Sequence, residues 1–225
     1  MFNIFLKNVK NNTLKKQNNM NFIQFNEKMA SFSIFSLKDI KKVDPSFDRR
    51  RLSEWQEKGY IKKVVKNFYV FSDLQIKEQS LFLIANQIYE PSYVSLEMAF
   101  SWHHLIPEGV YTITSVTSKK TTEFKTEFGN FNYKHIKATL LFGYDLVKYD
   151  NRNILISDIE KTVLDYIYFN SQIKTVKDFE GLRFNVSEFK EKADMIKFYK
   201  YLEMFDNKQM KKRVKSFIKY IENYA

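Results

Sequence analysis

The sequence predicts an α+β protein in which a small N-terminal unit of helices and one hairpin precedes a mixed α/β domain with a mainly helical tail. The 225 residues are 44% hydrophobic and 17% aromatic, which is enough for packed cores in both units. Helical spacing of apolar residues gives way to segments rich in β-branched and aromatic residues. Lys and Arg outnumber Asp and Glu by 37 to 26, and the resulting net charge of +11 favours an anionic partner. AT-rich codon usage would explain part of this charge.

The composition also indicates a compartment. Because the chain has no cysteine, it forms no disulfide and no thiolate zinc site, which favours a reducing, cytoplasmic location. No apolar run approaches the roughly 18–20 residues that a membrane-spanning helix requires, so no membrane association is expected. Residues 1–20 are rich in Asn and Lys and are predicted to form a flexible arm, with Met20 as an alternative start.

Residues 21–75 are predicted to form the N-terminal unit. The segment NFIQFNEKMASF has apolar residues at helical spacing. Ser36 followed by Asp39 three positions later predicts a capping box at the start of a short second helix.

A third helix is predicted over 46–58, where Asp44 can cap its start and Gly59 its end. The following YIKKVVKNFYVFSD has the pattern of a two-stranded hairpin. Helix, short helix, basic helix and hairpin together predict a winged helix-turn-helix. The inward stripe of the third helix and the turn after it is predicted to be Phe47, Leu52, Trp55, Tyr60 and Ile61.

The outer face of the third helix suits DNA binding. Arg49 and Arg50 lie in the half that enters the major groove in this motif, whereas Arg51 is turned partly toward the core. Lysines of the hairpin would hold the phosphate backbone. With no glycine at the hairpin tip, Asn67 must accept a positive φ unless the turn is of another type. The predicted DNA contacts are Ser46, Arg49, Arg50, Ser53, Lys62, Lys63, Lys66 and Asn67. The alternatives are a merely solvated arginine face and a protein-binding winged helix.

Residues 76–225 are predicted to form the second domain. IKEQSLFLIANQIY, SLEMAFSWHHLI and SDIEKTVLDYIYF have helical spacing. Segments 110–117, 121–136 and 142–156 have the alternation of strands. The tail over 186–225 is helical and basic.

A cluster of hydroxyl and lysine side chains follows the first of these strand segments and suits an anion or a nucleic acid. Its members are Thr117, Ser118, Lys119 and Lys120. The alternative interpretation is a solvated strand end. Glu160, at the start of the helix that includes Lys161 and Asp165, is explained by the helix macrodipole.

Three stretches of the second domain resemble the AbiEi family. YVSLEMAFSWHHLIPEGVYTITSVTSKK, EFGNFNYKHI and ISDIEKTVLDYIY occur in the order and at the spacing found in these antitoxins and transcriptional regulators of AbiE-type abortive-infection systems, which are type IV toxin–antitoxin systems. Together with the winged helix, the resemblance covers about 22–169. The segment Trp102-His103-His104 departs from it, since the family often has smaller or tyrosine-like residues there.

The resemblance implies a bacterial phage-defence protein. Its winged helix would bind double-stranded DNA at repeats in its own promoter and repress its operon. Its second domain would counter a cognate nucleotidyltransferase-like toxin without a stable complex, and the hydroxyl and lysine cluster would then be an antitoxin surface. The chain would act as a monomer or weak dimer, since paired repeats can be bound either way.

Enzymatic function finds little support in the motifs, and no catalytic residue, cofactor or metal is predicted. There is no phosphate-binding glycine loop, HExxH or GxSxG. Glu123 and Lys125 form an E-x-K triplet typical of metal nucleases, but such a site needs another carboxylate, and no aspartate lies between Asp73 and Asp145. A nucleic-acid processing enzyme built on this triplet is the alternative function. A third is an adaptor whose hairpin and basic tail bind an acidic protein.

Overall fold

The computed structural model describes residues 20–149 and 151–223 and confirms the mixed α+β class. The arm predicted for residues 1–20 lies outside the described residues except for Met20, which is buried against the N-terminal core rather than belonging to an arm. The α-helices are α1 Phe22–Met29, α2 Leu37–Val43, α3 Arg50–Glu57, α4 Glu78–Ile88, α5 Leu96–Trp102, α6 Ile159–Phe169, α7 Val176–Glu180, α8 Val186–Lys192, α9 Met195–Met204 and α10 Lys208–Asn223. The strands are β1 Phe35–Ser36, β2 Ile61–Val65, β3 Phe68–Phe71, β4 Ser92–Val94, β5 Thr112–Thr117, β6 Thr122–Thr126, β7 Gly129–His135, β8 Tyr144–Tyr149 and β9 Arg152–Ser157.

The N-terminal unit packs α1, α2 and α3 against an antiparallel small sheet of order β1-β3-β2. Its core is aromatic, with Phe25 lying 4.5 Å from Trp55 between ring centroids. The predicted capping box forms at α2, where Asp39 N–H donates to Ser36 Oγ and Ser36 N–H donates to the Asp39 carboxylate. The two-residue strand β1 was not predicted, because it is too short to show a period. The order helix, strand, helix, helix, hairpin is compatible with a winged helix-turn-helix.

The third helix is shorter than predicted at its start. It begins at Arg50 instead of 46, because Asp44 caps a turn by accepting from the backbone N–H and hydroxyl of Ser46. Its end follows the prediction. Gly59 has φ +70, and the Tyr60 and Gly59 N–H groups donate to the carbonyls of Trp55 and Gln56, which is a Schellman motif.

The second domain is built on a large sheet, six-stranded within the described residues, of order β6-β7-β5-β4-β9-β8. The pairs β5–β7 and β4–β9 are parallel, and the other neighbouring pairs are antiparallel. The predicted strand segments 121–136 and 142–156 are each a hairpin rather than one strand. Strand β4 was not predicted, because its three residues stand directly between two helices. The predicted helices α4, α5 and α6 and the helical tail are confirmed.

The large sheet is covered on both faces. On one face, here called the wing side, α4 and the small sheet pack against Ile113 of β5 and the alternate residues Phe131 and Tyr133 of β7. On the tail side, α6 and the C-terminal helices pack against Tyr93 and Val116. None of the described helices is both long enough and apolar enough to cross a lipid bilayer.

The small sheet packs directly on the large one. Ile34, Val64 and Val70 are buried and share one hydrophobic cluster with α4 and the large sheet. Two ion pairs flank this cluster. The Lys62 ammonium lies 3.0 Å from the Glu127 carboxylate, and the Arg152 guanidinium lies 3.7 Å from that of Asp39. One face of the small sheet therefore belongs to the core of the second domain, and the other face belongs to the aromatic core of the N-terminal unit.

A buried ion pair holds α6 against the large sheet. Lys161 and Asp165 are fully buried and directly paired. The Lys161 ammonium also donates to the Tyr93 hydroxyl (2.7 Å), which donates to the Asp165 carboxylate (2.8 Å), as does the Ser95 hydroxyl (3.0 Å). Burial lowers the pKa of Lys161, and burial together with the Asp165 charge raises that of Tyr93. The helix macrodipole, which was invoked for Glu160, does not account for this buried pair.

A second polar group surrounds the start of α6. Asp158 caps the helix, and the Lys197 ammonium of α9 lies 3.1 Å from Asp158 and 2.9 Å from Glu160. Burial raises the pKa of Asp158. Nearby, His103 Nε2 lies 2.7 Å from the Ser157 carbonyl, and burial lowers the pKa of this imidazole. The half-buried histidine is therefore one of the polar contacts around the start of α6.

Breaking the buried pair is expected to destabilise the protein strongly. Lys161→Met leaves the Asp165 carboxylate buried without a counter-charge, which costs about 3–5 kcal/mol of the free energy of unfolding. Urea denaturation measures the loss, and Lys58→Met, which breaks the exposed pair Glu54–Lys58, serves as the control. Lys161→Met combined with Asp165→Leu should recover much of the loss. If Lys161→Met and the control Lys58→Met had the same free energy of unfolding, the buried pair would not stabilise the fold as assigned here.

Stability is also expected to fall as the pH drops from 7.5 to 5.5. Because the folded state lowers the pKa of His103 from 6.5, the unfolded chain binds a proton that the folded chain does not. The loss is at most about 1.4 kcal/mol per pH unit for one proton. Asp158, whose pKa is raised, acts in the opposite direction. His103→Gln keeps an amide donor for the Ser157 carbonyl and should flatten the decline in urea midpoint; an unchanged decline would assign it to other groups.

Candidate nucleic-acid interface

The start of α3 presents the two predicted base-reading arginines to solvent. Arg50 is 91% exposed in its side chain and forms a two-pronged contact with the Asp48 carboxylate, with Nε at 2.9 Å and Nη2 at 2.7 Å from Oδ2. Hydrogen bonds from Arg50 hold the pKa of Asp48 below its ordinary value. Arg49 is also exposed, and among the described residues no carboxylate lies within ion-pair distance of it. Arg49 is therefore the arginine that needs no rearrangement to meet a ligand.

The third arginine is turned inward, as predicted. The Arg51 guanidinium donates to the Met20 carbonyl and lies 5.3 Å from the centroid of the Trp55 ring. Ser46 and Ser53 are exposed as predicted, although the Ser46 hydroxyl donates to the Asp44 carboxylate (2.7 Å).

Of the predicted inward stripe, Phe47, Leu52, Trp55 and Ile61 are buried. Tyr60 is 42% exposed, which corrects its assignment. It follows the helix-ending glycine and stacks on Phe22 at the surface, with 4.4 Å between ring centroids.

The hairpin presents three exposed lysines. Asn67 occupies the left-handed region with φ +70, so the turn forms without glycine as predicted. Lys63 and Lys66 have no carboxylate partner among the described residues. Lys62 is paired with Glu127 and lies 5.9 Å from the Phe128 ring centroid. The charge of Lys62 is therefore partly neutralised by the second domain.

The hydroxyl and lysine cluster after β5 is only partly at the surface. Thr117 is fully buried, so its predicted contact with an anion is wrong. Its hydroxyl donates to the Pro91 carbonyl (2.7 Å) and accepts from the Lys119 N–H (3.1 Å), which fixes the loop. Lys119 and Lys120 are exposed beside an open groove of about 600 Å³, here called the Lys119 groove. It is lined by Tyr89, Ser118, Lys119, Lys120, Thr121 and His135.

The nuclease triplet lies on the edge strand β6. Glu123 and Lys125 are exposed, and the ammonium lies 3.7 Å from the carboxylate, so the two side chains neutralise each other. Within residues 20–149 and 151–223, no group of three or more His, Asp or Glu side chains is placed to hold a metal ion. Nothing in the geometry adds to this triplet.

The residues that sequence reasoning missed are the partners of the predicted ones. Asp48, next to the arginines, was readable as a local partner of Arg50. Glu127 was not, since it lies 65 residues from Lys62 along the chain. Lys161 and Asp165 stand four residues apart in an apolar helix, a spacing that was a usable signal for a pair.

The chain matches no protein-family model, and no curated protein is significantly similar to it. The interface is thus defined by its geometry. Exposed cations at the start of α3 and on the adjoining hairpin can bond base edges and phosphates.

Proposed function

We propose that this protein is a DNA-binding transcriptional repressor that controls its own operon and acts as the antitoxin to a nucleotidyltransferase-like toxin in phage defence. The observation that carries the DNA-binding half is the exposure of Arg49 and Arg50 at the start of α3 beside the lysine hairpin. A recognition helix enters the major groove by this end, and the hairpin meets the neighbouring backbone.

Charge supports the same assignment. The side chains predicted to face DNA include the cations Lys63 and Lys66 with no carboxylate partner among the described residues, whereas Lys58, which follows α3, is paired with Glu54. Free cations on one surface attract phosphate and release counterions when they bind it. The net charge of +11 adds long-range attraction.

The antitoxin half is supported by the resemblance of the second domain to the AbiEi family. Its stretch ISDIEKTVLDYIY forms the end of β9 and most of α6, and its stretch around Lys119 and Lys120 forms the groove loop. We expect this domain to counter the toxin without a lasting complex, in the cytoplasm, with the chain acting as a monomer or weak dimer.

Removing the two arginines is expected to separate the two activities. Arg49→Ala combined with Arg50→Ala should weaken binding to the chain's own promoter by about tenfold or more, at roughly 1–3 kcal/mol per base contact, and should abolish preference over a scrambled duplex. Fluorescence anisotropy at fixed salt measures both affinities. In cells that express the toxin, the variant should still restore growth, because the second domain is intact.

The matched control is Lys212→Ala combined with Lys215→Ala, which removes two exposed cations of α10 on the tail side. This control should keep the promoter preference. Retained preference in the arginine variant would show that α3 is not the recognition helix. Failure of the parent chain to protect against a co-expressed toxin would overturn the antitoxin half alone.

Releasing Lys62 from its carboxylate is expected to strengthen DNA binding. Glu127→Gln removes the charge that lies 3.0 Å from the Lys62 ammonium, so this lysine becomes free to meet a phosphate. The slope of log affinity against log salt should steepen by about 0.9, the value for one phosphate contact. Glu180→Gln, at an exposed position of α7, makes the same charge change elsewhere and should leave the slope unchanged. Equal slopes in both variants would remove Lys62 from the interface.

A further inference from the structure

We propose that the Lys119 groove binds backbone phosphate of the same DNA duplex that meets α3 and the hairpin. This inference rests on the DNA-binding function proposed above and assigns a second contact outside the N-terminal unit.

The groove loop is fixed before any ligand arrives. The Tyr89 hydroxyl donates to the Lys120 carbonyl (3.0 Å), and His135 Nδ1 lies 2.9 Å from the Lys119 carbonyl. The backbone N–H of His135 donates to the Thr121 hydroxyl (3.1 Å). These contacts join the loop to the end of α4 and to β7. The two lysines therefore project from an ordered support, so binding orders only their side chains.

The positive charge of the groove is not neutralised. Among the described residues, no carboxylate lies within ion-pair distance of Lys119 or Lys120, whereas the nearby Lys62 and Lys125 each have one. Because a carbonyl only accepts, Nδ1 of His135 carries the hydrogen in this contact. In this tautomer Nε2 has no hydrogen to donate, so His135 holds the loop in place and supplies no donor to a phosphate. A phosphate is the ligand class that two free ammonium groups suit.

The groove opens on the same side of the large sheet as the N-terminal unit. Tyr89 packs against the wing-side cluster. His135 stands two residues after the wing-side residue Tyr133 in β7, so both side chains lie on the same face of the large sheet. Strand β6 begins beside the groove at Thr122 and ends at Thr126, the residue before Glu127, which is the partner of Lys62. Four steps along a strand are about 14 Å, well under the roughly 34 Å of one turn of duplex DNA. One backbone can therefore run from the hairpin to the groove.

The aromatic ring of the groove favours backbone phosphate over a nucleotide or an unpaired base. A stacked base needs an open ring face. The Lys119 ammonium lies 5.0 Å from the centroid of the Tyr89 ring, and the rings of Tyr133 and Phe124 also pack against it. The groove thus offers charge without a stacking surface, which is the chemistry of a duplex backbone contact.

The test is the salt dependence of duplex binding by the full chain. Lys119→Ala combined with Lys120→Ala should lower the slope of log affinity against log salt by about two on both promoter and scrambled duplexes, because it removes two phosphate contacts. The preference for promoter over scrambled DNA should stay as in the parent. Lys119→Arg combined with Lys120→Arg should keep the parental slope, and so should the tail-side control Lys212→Ala with Lys215→Ala.

A parental slope in the alanine variant would overturn the proposal. The proposal would also be overturned if the slope measured for the parent chain fell by about two when phosphate replaced chloride at equal ionic strength. The groove would then bind free phosphate instead of the DNA backbone. Failure of the proposed function would give a different result. The parent chain would then bind promoter and scrambled duplexes with equal affinity, and the slopes of the parent and the lysine variants could still be compared. Absence of binding to either duplex overturns both.

Discussion

The salt bridge between Lys161 and Asp165 is the contact on which the arrangement of the second domain depends. A charged pair is stable in a protein interior only when its remaining donors and acceptors are satisfied. Tyr93 of β4 and Ser95 at the start of α5 satisfy them here, so the pair joins α6 to the sheet and to a second helix. Any shift of α6 would leave a charge without its partners. Because α9 and α10 pack on α6, the position of the basic tail follows from this contact.

Much of the N-terminal unit was predictable because its signals are local. A capping box spans three residues, a Schellman ending needs one glycine, and a tight turn without glycine needs a residue such as Asn67 that tolerates positive φ. The second domain was less predictable, since its signals are distant. Strand β4 is a strand only because β5 and β9 pair with it, and residues 121–136 fold back at Glu127-Phe128 without a strong turn sequence.

The candidate interface shows the same division. Helical periodicity identified which arginines at the start of α3 face solvent, and the exposure of Arg49 and Arg50 agrees. Periodicity could not show which cations are already paired, because a partner such as Glu127 comes from another part of the chain. The grouping of Thr117 with the lysines by residue type was also wrong, because Thr117 ends β5 and its buried hydroxyl bonds the loop that follows. The sequence can therefore predict which charged side chains are exposed, but only the fold shows which of them have no ion-pair partner.

The small sheet has apolar residues on both of its faces. Phe35 and Ile61 face the N-terminal helices, while Val64 and Val70 face α4. Two cores that share a sheet melt together, so the chain should unfold as one cooperative unit despite its two-part sequence. A fragment cut near residue 75 would expose the second face to water, at roughly 1.5–3 kcal/mol for each large side chain. The N-terminal unit is therefore not expected to fold independently of the second domain. In another protein it would need a new apolar surface packed against the face that carries Val64 and Val70.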